Sequence, residues 1–203
     1  RKRIFTRKLA LNENILKRWH HSDLVLIGGS AGSFKLVFRA VKNFSEHFNK
    51  AVIIVIHRKK NFFSEIEKLF AENSRMSLRE ITDKEIIKRN TIYIAPANYH
   101  VLIEKEKKFG LDVSDMVWYS RPSIDVTFES AAEVFQGKCT AILLSGANQD
   151  GAEGLLKLRE CGALTIAQSP AEAEMSEMPG AAIAIGAAEY ILSNSEILEL
   201  LQT

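Results

Sequence analysis

Apolar residues along the chain fall into two alternating kinds of stretch. Residues 24–27 and 51–56 are short, unbroken apolar runs, the second rich in Val and Ile, as in strands buried on both faces. Between them residues 33–44 change to helical spacing, with Leu36, Val37, Ala40, Val41 and Phe44 on one face. The alternation continues. Residues 62–73 predict a helix with Phe63, Ile66, Leu69 and Phe70 inward, and 76–81 and 91–94 predict strands. Residues 99–103 and 109–113 flank a Lys-rich tip containing Gly110 and read as a hairpin. A helix over 122–135, with Pro122 in its first turn, points Ile124, Phe128, Ala131, Ala132 and Phe135 inward. A strand at 139–144, a helix at 152–160 capped by Gly162, and a strand at 164–167 follow. The chain then offers a short helix or strand at 181–185, a strand at 190–192 and a helix at 196–201. Strands alternating with amphipathic helices imply an α/β fold: a doubly wound, mainly parallel sheet with helices on both faces and an antiparallel hairpin insertion.

Charge divides the chain unevenly. Residues 1–21 hold seven Lys or Arg against the single acid Glu13, leaving a net −4 over the remainder of a chain whose total is +2. Phe5, Leu9, Leu16 and Trp19 recur there at near-helical spacing, so residues 1–21 read as a basic leader or linker helix that docks on the domain, a partner or an acidic membrane surface. Residues 22–203 form the domain proper. A total of +2 makes no case for a nucleic-acid binder, and no apolar run reaches the ~18 residues of a membrane span. Cys139 and Cys161 lack metal-ligand or CxxC spacing and read as reduced thiols of a cytoplasmic protein.

Candidate chemistry sits where strands end. The run DLVLIGGSAGS (23–33) leads from a strand through a glycine-rich turn into a helix, and Gly28-x-Ser30-x-Gly32 fits the nucleophile-elbow spacing. The same turn is also compatible with simple helix capping. His57 ends the second strand, and Asp150 lies in the loop after the 139–144 strand. In open α/β sheets such strand ends line one crevice. A serine, an imidazole to take its proton and a carboxylate to orient the imidazole make an activated nucleophile. Each has a plainer role open to it: His57 as a strand end, Asp150 as the N-cap of the helix from Gly151. His100, after Ala95-Pro96, is the rival base. A dinucleotide fold is disfavoured because the turn lacks G-x-G-x-x-G and the second strand ends in His57 in place of an acid. The order Ser30, His57, Asp150 also differs from the Ser, acid, His order of the α/β-hydrolases.

Six motifs in order, IGGSAGS (27–33), IVIH (54–57), YIAPANYH (93–100), RPSIDVTFESAA (121–132), LLSGANQDGAEGL (143–155) and IAQSPAEAEMSEMP (166–179), resemble the catalytic domain of the CheB-type chemotaxis protein-glutamate methylesterases. The resemblance spans about residues 23–201. It implies Ser30 as nucleophile, His57 as general base, Asp150 as its orienter, and backbone N–H groups of Ala31 and Ala147 as the oxyanion hole. It also implies hydrolysis of glutamate methyl esters on methyl-accepting chemoreceptors, deamidation of receptor glutamines, a receiver domain or kinase as controlling partner, and no metal or organic cofactor. The alternative is a non-catalytic CheB-like interaction module.

The chain departs from the family's usual pattern in places. Ala31 stands where Thr is usual, Ser33 and Glu177 where Gly is usual, and Ala147-Asn148-Gln149 where the loop commonly reads Met-Gly-Asn. These changes touch the oxyanion hole and leave the three side chains intact. Arg58-Lys59-Lys60 replaces the usual Met-Pro after His57, a basic run that reads first as a solvated loop and, as the alternative, as a patch that steers acidic receptor helices and depresses His57 basicity. Residues 1–21 are too short to be a receiver domain.

Overall fold

The computed structural model describes residues 11–57 and 63–203, and the basic runs at 1–9 and 58–60 lie outside them. Seven strands form one parallel sheet in the order β3-β4-β2-β1-β7-β8-β9. They are β1 (Leu24–Gly29), β2 (Ala51–Ile56), β3 (Ser77–Glu80), β4 (Thr91–Ile94), β7 (Cys139–Leu143), β8 (Leu164–Gln168) and β9 (Tyr190–Leu192). The remaining two, β5 (His100–Glu104) and β6 (Lys108–Asp112), make the expected separate antiparallel hairpin, but its tip is Lys105–Lys107, and Gly110 lies within β6 opposite Leu102.

Because successive side chains of a strand point to opposite faces, each continuous apolar run feeds two cores. Leu24 and Leu26 enter one core with Ile124, Phe128, Leu155 and the hairpin's Val101 and Phe109. Val25 and Ile27 enter the other with Leu36, Val37, Phe70 and Ile197. The first face is covered by α4 (Ile124–Phe135), α5 (Ala152–Glu160) and α6 (Glu177–Ala184). The opposite face is covered by α1 (Glu13–His21), α2 (Phe34–Asn43), α3 (Phe63–Asn73) and α7 (Asn194–Leu201). Among the options for the leader, its described part docks on the domain. Ile15 and Trp19 are buried, and Arg18 donates to the carbonyls of Gly162 and Ala163.

Several sequence expectations shift. The 181–185 segment is the end of α6, which already starts at Glu177. Leu69 stays exposed while Phe70, next to it, is buried, so the inward stripe of α3 is narrower than the periodicity suggests. Pro122 lies outside α4; Ser123 is the N-cap, its side chain accepting from the Val126 N–H. Cys139 is buried, and burial pushes its thiol up to about 12, which fits an inert core residue.

What positions the site is the topology at β1. The chain leaves β1 for α2 on one face of the sheet, and leaves β7 for α5 on the other. The two loops diverge between neighbouring strands, opening a crevice at the carboxyl edge.

Candidate active site

Ser30 follows the last residue of β1. Its N–H donates to Ser145 O at 2.8 Å, and Gly32 turns the chain with φ of +81°, a conformation that side chains with a Cβ resist. Ser33, fully buried, closes the turn: its Oγ donates to Ser30 O at 2.7 Å and its N–H to the same oxygen at 3.1 Å. The usual family glycine is here replaced by a hydroxyl that staples the elbow.

His57 is placed by strand register. Gly29 pairs with Ile56 across β1 and β2, and the His57 N–H donates to Gly29 O at 3.2 Å, so Ser30 and His57 leave neighbouring strands side by side. The His57 ring is nearly buried, and its Nε2 lies 2.6 Å from Asp150 Oδ2. A carboxylate facing Nε2 holds the proton there and leaves Nδ1 as the acceptor. The Ser30 hydroxyl makes no hydrogen bond to His57, a contact that in such sites commonly tightens only in the substrate complex. Thus His57 and Asp150 are joined, and Ser30 is brought alongside.

Asp150 does not cap its own helix. Gly151 is the N-cap of α5 and makes no side-chain cap bond. The Asp150 carboxylate, fully buried, instead reaches the start of α4. Oδ2 accepts from the Ile124 N–H at 2.7 Å, and Oδ1 from the Asp125 N–H at 3.0 Å and Ser123 Oγ at 2.8 Å. Burial works against the ionised form, but the His57 bond and the two α4 N–H groups outweigh it and hold Asp150 below the usual carboxylate range. The return connection comes from Asp125, whose Oδ1 accepts from Gly154 N–H in the first turn of α5 at 2.8 Å. The acid before α5 therefore satisfies α4, and an acid of α4 satisfies α5. Position 154 must be glycine for this approach, because a Cβ would stand 2.6 Å from Phe128 Cβ and 2.9 Å from Asp125 O.

The oxyanion candidates are held together by Ser145. Its backbone oxygen binds the Ser30 N–H, and its Oγ donates to Ala31 O at 2.7 Å while accepting from Met175 N–H at 2.9 Å. Among the described residues the N–H groups of Ala31 and Ala147 find no acceptor, which leaves both open to an anion. His100 is disposed of as a rival base. It is fully buried, with Nδ1 accepting from Ser123 N–H at 3.1 Å and Nε2 donating to Asp115 O at 2.9 Å, so both ring nitrogens are committed.

Ser123, Asp125 and Ser145 escape the reading of the sequence as site residues. A Ser ahead of an apolar-periodic run is an N-cap signal visible at Ser123. That a loop acid 27 positions on shares the same helix start is not.

Asp125 gives the domain a testable pH dependence. Burial first, then the charges of Asp150 and of Glu129 on its own helix, push its pKa up to about 7, with the Gly154 N–H pulling the other way. An unfolded Asp titrates near ~3.9, so the folded protein holds the extra proton between the two values. Stability from this group therefore falls as pH rises through about 4 to 7, and the cost is complete above. Asp150 has the opposite sign, and its contribution is lost only below that window. In Asp125→Asn the amide oxygen still meets Gly154 N–H and nothing titrates. Urea unfolding at several pH values should show the variant gaining on the wild type from pH 4 to 8; parallel curves would contradict the assignment.

An α/β domain with its polar site at the switch point of a parallel sheet is the class that fold and geometry define. The family model described as CheB methylesterase matches residues 25–201, and the chain belongs to that family. A Leptospira interrogans protein, provisionally named a protein-glutamate methylesterase/protein-glutamine glutaminase, is 38% identical over 178 residues, covering 88% of this chain and 92% of that protein. Protein-glutamate methylesterase/protein-glutamine glutaminase 3 of Pseudomonas aeruginosa is 37% identical over 86% of this chain, which spans 52% of the relative's length. The crystal structure of the Thermotoga maritima CheB methylesterase catalytic domain superposes with a TM-score of 0.84 at 29% identity, covering 89% of this chain and 97% of that one.

Proposed function

We propose that Ser30, His57 and Asp150 are the nucleophile, general base and orienting acid of a protein-glutamate methylesterase that demethylates glutamate methyl esters of chemoreceptors and deamidates receptor glutamines. The observation that carries the roles is the 2.6 Å His57–Asp150 bond with Ser30 leaving the adjacent strand.

In this mechanism Ser30 Oγ attacks the ester carbonyl while His57 Nδ1 takes its proton. Asp150 stabilises the imidazolium that forms. The N–H groups of Ala31 and Ala147 receive the oxyanion, an interaction worth about 3 kcal/mol of barrier per donor. The imidazolium returns its proton to the departing methoxide, so methanol leaves and an acyl-serine remains. Water, deprotonated by the same imidazole, then releases the glutamate carboxylate and restores Ser30. With a glutamine substrate the leaving group is ammonia. The Ala31 and Ser33 departures fit this scheme, since a backbone N–H needs no side-chain hydroxyl and Ser33 closes the turn.

We assign the work to residues 22–203, with residues 1–21 as a leader or linker, the cytoplasm as its place, and a receiver domain or kinase as its controlling partner. No described helix is long and apolar enough to cross a membrane. The deciding experiment incubates the purified chain with a receptor carrying labelled glutamate methyl esters and follows volatile methanol. Release in proportion to enzyme, above a heat-inactivated control, is expected. Release equal to that control would refute catalysis and favour the interaction-module alternative.

A further inference from the structure

Among the described residues, five of the nine exposed large apolar side chains are Tyr99, Val113, Met116, Trp118 and Tyr119, at and beside the connection between β6 and α4. Tyr99 and Val113 line one cavity of about 410 Å³ with Pro96 and Arg121, and the rest extend from it along the connection between β6 and α4. This connection ends in a tight turn closed by reciprocal bonds between Val117 and Ser120, of 3.2 and 2.9 Å. The residues at its tip, Trp118 and Tyr119, both have positive φ, of +50° and +58°. Such a turn is relaxed by Asn-Gly, whereas bulky residues there are strained. Packing offsets little of this at Tyr119, which is 95% exposed, and Trp118 still leaves 42% of its surface in solvent. Backbone strain of this kind clusters at ligand clamps and active sites.

The turn is tied to the catalytic acid from two sides. Asn148, two residues before Asp150, donates from Nδ2 to Trp118 O at 3.2 Å. At the base of the connection, Asp115 O accepts from His100 Nε2, His100 Nδ1 accepts from Ser123 N–H, and Ser123 Oγ donates to Asp150 Oδ1. The patch is thus continuous with the crevice. Its charges also restrict what it can meet. Asp112, held ionised by its bonds from Ser114, ends β6, and exposed Asp115 stands on the connection that follows, while Arg121 turns back to the carbonyls of Val113 and Ser114.

We propose that the Trp118–Tyr119 turn and its apolar surroundings dock the segment of the protein substrate that flanks the esterified side chain, gripping apolar side chains on it. The proposal rests on the methylesterase reading. Esterification replaces a carboxylate by a neutral methyl ester, so the substrate segment suits an aromatic patch with an acidic rim. Its carboxylate product does not.

The test compares wild type with Trp118→Ser/Tyr119→Ser on two substrates: a methyl-esterified receptor and the small ester glutamate γ-methyl ester. On the receptor, kcat/KM of the double variant should fall at least tenfold, through KM, with kcat within twofold. On the small ester the two proteins should agree within twofold. An undiminished kcat/KM on the receptor, or equal losses on both substrates, would overturn docking while leaving the esterase intact. Failure of the wild type on both substrates would overturn the esterase reading and docking with it.

Discussion

Ser30→Ala should lower kcat for receptor demethylation by roughly 10⁴- to 10⁶-fold, or about 5–8 kcal/mol of barrier, while leaving receptor binding in place. The direction follows from the elbow. Nothing else in the turn can form the acyl intermediate: Ala31 and Gly32 have no nucleophile, and the Ser33 hydroxyl is buried and committed to Ser30 O. Folding should hardly change, because the Ser30 side chain is partly exposed and the backbone bonds of residue 30 do not depend on it. Methanol release and binding, measured side by side, check both halves. A variant retaining a tenth of wild-type activity would remove Ser30 from the mechanism.

Asp150→Ala should damage both activity and stability. Its carboxylate, bonded to Nε2, fixes the His57 tautomer that leaves Nδ1 as the acceptor; loss of such an orienting acid costs roughly 10⁴-fold in kcat. The same oxygens satisfy Ser123 Oγ and two buried N–H groups of α4. Stranding those donors, and the imidazole, should lower unfolding free energy by roughly 3–5 kcal/mol, measured in denaturant. Asp150→Asn separates the two effects. The amide keeps most of the bulk and one acceptor, so stability recovers in part. Its NH2, turned to Nε2, would drive the proton onto Nδ1 and leave the base blocked. Stability rescued without activity is the expected pattern.

The layered fold was legible because continuous apolar runs such as 51–56 and helical stripes such as 36–44 obey different periods, and buried parallel strands leave little room for another interpretation. The placement of Ser30, His57 and Asp150 at one edge of the sheet was legible for a related reason: strand ends are where such sheets place chemistry. The second partner of Asp150, the start of α4, was not. Its position before Gly151 is that of a local helix cap, and only the close approach of α4, permitted at Gly154, diverts the carboxylate to another helix. His100 shows the converse. A histidine after Ala95-Pro96 invites a catalytic interpretation, and the tertiary contacts with Ser123 and Asp115 make it a brace.

The exchanged carboxylates of α4 and α5 also bear on how the crevice can be regulated. Each helix start is held by an acid belonging to the other's segment, so the two ends form one rigid body, and neither can swing without breaking buried bonds. A signal that opens or closes the crevice must act through parts outside this body. The turn after β1, with Ala31 exposed, is one such part. Hydrogen exchange should find the amides of Ile124, Asp125 and Gly154 protected together, and exchange in the Ser30 turn independent of them.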